Sequence, residues 1–194
     1  RSSDPKTKSL GTNPTTGTPL ETQAYDYNLR GWMTGINKAF TVASSTANYF
    51  GMELGYDKSA TTAGTTTFTP AYDGALSGQI WKSKGSKVPR KYSFTYDNAA
   101  RLTAAAFLQN TSGSAWDKSP VDFSVNSMSY DYNGNIATLN QKGYTPGGSV
   151  TIDSLSYDYM NSGASNRLLN VIDKANNAQS KLGDFHYTVT KTST

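Results

Sequence analysis

Apolar and polar residues alternate with a period of two in several short stretches of this chain. Met128, Tyr130 and Tyr132 alternate with Ser127, Ser129 and Asp131, the pattern of a half-buried strand. Tyr92, Phe94 and Tyr96 run the same way up to Asp97, and Leu155, Tyr157 and Tyr159 run so towards Asn161. After Tyr132 comes Asn133-Gly134, and Ile136 and Leu139 then mark a return strand. Two residues tolerant of positive φ between such strands predict a hairpin closed by a type I′ turn. Connections rich in Ser, Thr and Gly at Ala60 to Thr67, Gln109 to Ser114 and Thr145 to Ser149 read as long hairpin loops. Residues 1–20 show no periodicity and are expected to be irregular or extended.

The hairpins repeat. The dipeptide Tyr-Asp occurs at Tyr25-Asp26, Tyr56-Asp57, Tyr72-Asp73, Tyr96-Asp97, Tyr130-Asp131 and Tyr157-Asp158. The residues after the dipeptide also recur in type, as in YDYNLRGWMTGI, YDGALSGQIW, YDNAARLTAA and YDYNGNIATL, each reading as strand, polar turn, strand. A tyrosine offers apolar area while its hydroxyl still reaches a polar partner. The Asp after it can accept backbone N–H bonds and steady the turn. The five tyrosines Tyr25, Tyr72, Tyr96, Tyr130 and Tyr157 are therefore expected to be more buried than their Asp partners.

Composition sharpens this picture in one respect. Leu, Ile, Val and Phe make up only 31 of 194 residues, whereas Tyr supplies 13 and Trp 3, so the core is expected to rest on Tyr. The net charge is +4. Lys82, Lys84, Lys87, Arg90 and Lys91 form the one basic thickening, expected to be a solvated hairpin loop rather than a phosphate track. Without Cys, neither disulfides nor thiol chemistry enter. No apolar run approaches the roughly 18 residues of a membrane helix. A start at Arg1 without an initiator Met leads to the expectation of an excised or processed piece.

Candidate chemistry is thin. The single His, His186, has no recognisable nucleophile or orienting partner near it in sequence. Asp117 and Asp122 form a formal carboxylate pair, of little weight as glycosidase machinery. Asp131, Asn133 and Asn135 resemble the opening of a calcium loop, but Ile136 and Lys142 stand where Gly and Glu are required. No catalytic residue, metal site or cofactor is expected, and the chain is read as a non-enzyme. Trp32 and Trp81 sit beside Met33, Ile36 and Ile80 and are expected to pack in the core. Trp116 is the candidate ligand contact.

The units YDYNGNIATLNQKG, YDNAARLTAA and YDYNLRGWMTGIN resemble those of the Rhs (rearrangement hotspot)/YD-repeat proteins. NYFGMELGYD and LSYDYMNSGASNRLLNVID are similar to the variant found in gliding-type Gram-negative bacteria. The resemblance spans about residues 20–186. It implies an all-β fold of antiparallel YD-repeat hairpins forming part of a spiral β-shell over residues 21–186, with residues 187–194 a tail or interrupted repeat. It further implies a secreted or cell-surface structural segment that encapsulates or displays a partner domain such as a polymorphic toxin. The expected partners are neighbouring repeats of the same or a longer polypeptide, toxin cargo, or outer-membrane export or display machinery, with no nucleic acid and no membrane span. A surface adhesion or glycan-binding module is the alternative. The self-cleavage motif Asp-Pro-Xaa-Gly-Leu of that family is missing, since Asp4-Pro5 is followed by Lys6-Thr7. Open sheet edges at either end attract further strands, so the chain is expected to be stable only beside neighbouring repeats or a partner.

Overall fold

The computed structural model describes residues 5–175 and 183–185. The chain is all-β. Eleven strands lie in one antiparallel sheet in sequence order: β1 Thr7–Leu10, β2 Glu21–Tyr27, β3 Met33–Ile36, β4 Phe50–Gly55, β5 Gly78–Ser83, β6 Arg90–Tyr96, β7 Leu102–Gln109, β8 Val125–Tyr130, β9 Ile136–Thr145, β10 Gly148–Tyr159 and β11 Leu168–Asp173. Consecutive antiparallel strands need only hairpin connections. No helix among the described residues is long and apolar enough to cross a membrane. The contacts divide the chain into two compact units, residues 1–93 with 108–117, and residues 94–107 with 118–194.

In the first unit the strand register sorts residues onto two faces. Asp26, Gly35, Glu53, Ile80 and Lys91 stand in one cross-strand row, and Tyr25, Ile36, Met52, Trp81 and Arg90 in the neighbouring one. Successive residues of a strand point to opposite faces. The first face is covered by the connections between strands, which place Phe40 and Phe68 over it, and Phe40, Phe68 and Ile80 are almost completely buried. Its closest packing needs glycine. Gly55 pairs with Gly78, and a Cβ on either would come within 2.4 or 2.7 Å of the Phe68 ring. The ring thus lies on bare backbone. The second face is aromatic and half-buried: Trp81 stacks on Tyr92 with ring centroids 5.5 Å apart. In the second unit, Ala105, Phe107, Ile152 and Leu155 form the buried apolar set, and Phe107 meets Phe123 edge-on at 5.4 Å.

Several sequence expectations need correction. The buried core is built from Phe and Ile under loops, while the tyrosines of the repeat are half-buried or exposed. Residues 1–20, expected to be irregular or extended, hold the extended strand β1, whose pairing with β2 had no periodicity to announce it. Thr145 to Ser149 is no long loop, because β9 and β10 pair directly as far as Thr145 and Gly148. The basic stretch divides by side: Lys84 and Lys87 are exposed at the β5–β6 turn, but Lys82 and Lys91 are buried. Gly78, Ile80 and Lys82 alternate on the covered face, so the lysine stem follows the strand period into the interior. Residues 187–194 lie outside the described residues.

Candidate functional site

The repeating feature is a hairpin turn headed by Asp or Asn. At Asn28, Asp97 and Asp131 the backbone N–H of the heading residue donates to the carbonyl four residues on, at Trp32, Arg101 and Asn135. Its own carbonyl accepts the N–H of Gly31, Ala100 and Gly134. Its Oδ1 accepts two further N–H groups, from Arg30 and Trp32, from Ala99 and Arg101, and from Asn133 and Asn135, all at 2.8–3.0 Å. Only the fourth residue takes positive φ: Gly31 (80°), Ala100 (58°) and Gly134 (85°). This is a type I turn with a G1 bulge, a three-residue loop. The expected type I′ turn at Asn133-Gly134 is thereby corrected, because Asn133 does not adopt positive φ; the side-chain acceptor of Asp131 holds it instead. Gly134→Val is expected to destabilise by about 1–2 kcal/mol through strain at positive φ, and Ala100→Gly to stabilise slightly at the equivalent position. Urea midpoints that move in the same direction for both variants would contradict the turn assignment.

The second repeating feature is the tyrosine immediately before the turn. Tyr56 Oη donates to the Met33 carbonyl at 3.2 Å, Tyr130 Oη to Leu102 at 2.7 Å, and Tyr159 Oη to Ile136 at 2.9 Å. Each acceptor is the first residue of the preceding return strand. Tyr27 Oη makes the corresponding bond to Pro5 at 3.2 Å. The residue just before the acceptor lies against the same ring: Trp32 and Tyr56 centroids are 5.3 Å apart, and Arg101 Cζ is 4.5 Å from the Tyr130 centroid. Burial raises the Tyr56 and Tyr159 hydroxyls above their ordinary pKa, with the Asp131 charge adding at Tyr159. They stay protonated, as donors must. A bulge follows the acceptors Met33 and Ile136 in register, at Asp26/Tyr27 and Ser129/Tyr130, and the same shift at Asp158/Tyr159 follows Leu168.

The six predicted dipeptides therefore divide. Tyr130-Asp131 and Tyr96-Asp97 head turns. Tyr56 makes the hydroxyl contact and is followed by the long connection from exposed Asp57. Tyr25-Asp26 and Tyr157-Asp158 lie within β2 and β10, two residues before the contacting tyrosines Tyr27 and Tyr159. Tyr72 is 76% exposed and contradicts its expected burial, although Asp73 Oδ1 does accept the Ala75 N–H at 3.0 Å.

No protein-family model and no curated protein sequence matches the chain.

Outside the repeat, three polar arrangements stand out. Lys82 Nζ donates to the carbonyls of Val42, Ala43 and Ser45 at 2.6–2.9 Å and lies 4.7 Å from the Phe40 ring centroid. Lys91 Nζ donates to Thr66 Oγ1 and the Thr67 carbonyl and lies near the Phe68 ring. Burial lowers the pKa of both. In the second unit, buried Asp122 accepts from Ser124 Oγ at 2.5 Å and faces Lys142 at 3.2 Å and Lys118 at 3.6 Å. Burial pushes its carboxyl up, but the Ser124 and Lys142 hydrogen bonds and the Lys118 charge hold it below the usual range. Ser124 Oγ also accepts the Phe107 N–H at 2.9 Å, so it braces strands rather than standing ready as a nucleophile. Asp117 pairs its backbone with Gln109 in the first unit and Asp122 belongs to the second.

A further polar group, of three carboxylates, was not legible in the sequence. Asp153, Asp173 and Asp184 bring carboxylate oxygens within 4.8 Å of one another, the first two buried. Asp153 accepts the Phe185 N–H, and Asp173 those of Ser154 and Ala175. Such oxygens suit a hard cation in kind, though calcium usually takes roughly six to eight. No spacing motif links the three. Trp116 is half-buried, donates its indole N–H to Thr65 Oγ1 at 2.9 Å, and lines a recess of about 170 Å³ with Thr41, Pro89 and Asn110. His186 lies outside the described residues.

The turn carboxylates predict an acid response. The Arg101 side chain foremost holds Asp97 below 3.8, and the Asn135 side-chain amide does so for Asp131. A folded pKa below the unfolded one gives stability that is present above 3.8 and lost as pH falls through the folded value. Asp131→Asn is expected to change stability little at pH 7, since Asn28 builds the same turn, and to flatten the acid loss. Urea midpoints measured from pH 7 down to pH 2 with equal acid slopes for both proteins would contradict this.

Proposed function

We propose that the chain is a structural wall segment of the Rhs/YD-repeat kind, which encloses or displays a partner domain at the cell surface or outside the cell. The observation that carries the reading is the hydroxyl contact from a tyrosine at the end of one strand to the first residue of the preceding return strand, made three times. Repeat units that touch mainly their neighbours extend in one dimension without a central site. The open row of Tyr25, Ile36, Met52 and Trp81 gives this wall a half-buried aromatic face against which enclosed material can rest.

Limited proteolysis of the polypeptide that contains these repeats, with mass spectrometry of the fragments, tests the reading. A segment outside the repeats that becomes cleavable only when the repeats unfold supports enclosure, and antibody labelling of such a segment on intact cells supports display. Uniform cleavage together with no surface labelling would overturn it. Glycan binding through Trp116 is the weaker reading, because Thr65 already takes the indole N–H.

A further inference from the structure

We propose that the outer edge of β11 is a half-built tyrosine socket, made by Arg167, the Leu168 carbonyl and Leu169, that receives a further hairpin of the same kind. The proposal rests on the wall reading and adds what adjoins the wall. The last described hairpin repeats the others at its base: Met160 N–H donates to the Arg167 carbonyl, as Asn28 does to Trp32 and Asp97 to Arg101. Leu168 therefore occupies the place of Met33, Leu102 and Ile136, the three carbonyls that accept a hydroxyl from the next hairpin. Arg167 occupies the place of Trp32 and Arg101, which lie against that tyrosine's ring. Leu169 is the bulged residue beside Tyr159, as Thr34 is beside Tyr27 and Ala137 beside Tyr130.

Exposure separates this set from its equivalents. Met33, Thr34, Leu102, Ile136 and Ala137 are half-buried, covered in part by the next hairpin along. Leu168 is 49% and Leu169 63% exposed, and Arg167 is exposed. Among the described residues no tyrosine hydroxyl reaches Leu168. A cation, a carbonyl acceptor and an apolar ledge side by side match a phenol: the guanidinium takes the ring face, the carbonyl takes the O–H, and the leucine covers the edge. The partner is accordingly a β-hairpin with a tyrosine just before its turn, continuing the contact already made in the sheet.

The test titrates the whole chain with a fluorescein-labelled synthetic peptide of residues 125–141, whose Tyr130 naturally meets Arg101 and Leu102. A second peptide closed by a disulfide across its ends removes probe folding as a variable. Amide exchange at 168–173 is expected to slow at least tenfold with peptide bound. Tyr130→Phe in the peptide should weaken binding about fivefold, the loss of one hydrogen bond. Arg167→Ala in the chain should weaken it about threefold. Unchanged exchange in β11 at the solubility limit of the closed peptide, equal binding of the Phe peptide, or slow exchange in the chain before any peptide is added would each overturn the socket. A failed socket beside a protected partner segment in the proteolysis experiment would leave the wall reading intact.

Discussion

Phe68→Ala is expected to lower stability by about 3–5 kcal/mol, the range for removing a fully buried Phe from a packed site. Phe68 is 3% exposed and is the one large apolar side chain within the connection between β4 and β5 that lies over Gly55 and Gly78. Glycines in strands are poor in packing and leave backbone bare; the ring supplies the missing cover. Lys91 and the neighbouring Thr67 carbonyl depend on the same placement. A double-mutant cycle isolates the contact. Gly55→Ala should destabilise the wild-type protein, because its Cβ would stand 2.4 Å from the ring, and should cost much less in the Phe68→Ala background, where only Ser77 Oγ at 2.8 Å still has to give way. Additive urea midpoints would show that the ring and the glycine do not act on each other.

Lys82→Met is expected to cost about 3 kcal/mol, although Met keeps the length and apolar character of the stem. The loss falls on three carbonyls, at Val42, Ala43 and Ser45, which share one ammonium donor. Leaving acceptors without a partner costs roughly 1–3 kcal/mol for each one that water cannot reach. Amide exchange should accelerate in residues 38–45 before it does in the strands. The pH signature of Lys82 has the same sign as that of the turn aspartates but falls in the alkaline range. A lysine whose folded pKa is lowered binds fewer protons folded than unfolded, so its effect on stability grows more favourable as pH rises towards 10.5. A midpoint unchanged in Lys82→Met would mean that solvent already satisfies those carbonyls.

The hairpin plan could be read from the sequence because period-two alternation and turn chemistry are both local. Met128 to Leu139 is the clearest case: strand, turn and return strand follow in the order the alternation gives, although β8 ends at Tyr130 and Tyr132, read as part of the strand, stands fully exposed in the turn. The dipeptide signature misplaced two turns for an equally local reason. In Tyr25-Asp26-Tyr27-Asn28 the turn is headed by Asn28, which accepts the same N–H bonds as Asp, so a search for Asp stops two residues early. Gly31, three residues after Asn28, was the available signal. The buried lysines and Phe68 were less accessible. Burial of Lys82 depends on a connection forty residues earlier in the chain, and a lone Phe among threonines gives no periodicity. The three gathered carboxylates depend on the pairing of β10 with β11 and on the Phe185 N–H that meets Asp153, both remote in sequence.

At the turns, the hydrogen bonds go to the heading residue and to the three residues after its second position, while the second side chain itself points outward. Leu29 and Tyr132, in that place, are fully solvated. Between Met160 and Arg167 the same outer bond closes over a longer tip that contains a short 3-10 turn. Tip length and tip identity are thus independent of the sheet beneath them. Sequence drift can accumulate there without altering strand register, so related sequences should differ most at these exposed turns and agree most one residue before them, at the tyrosine.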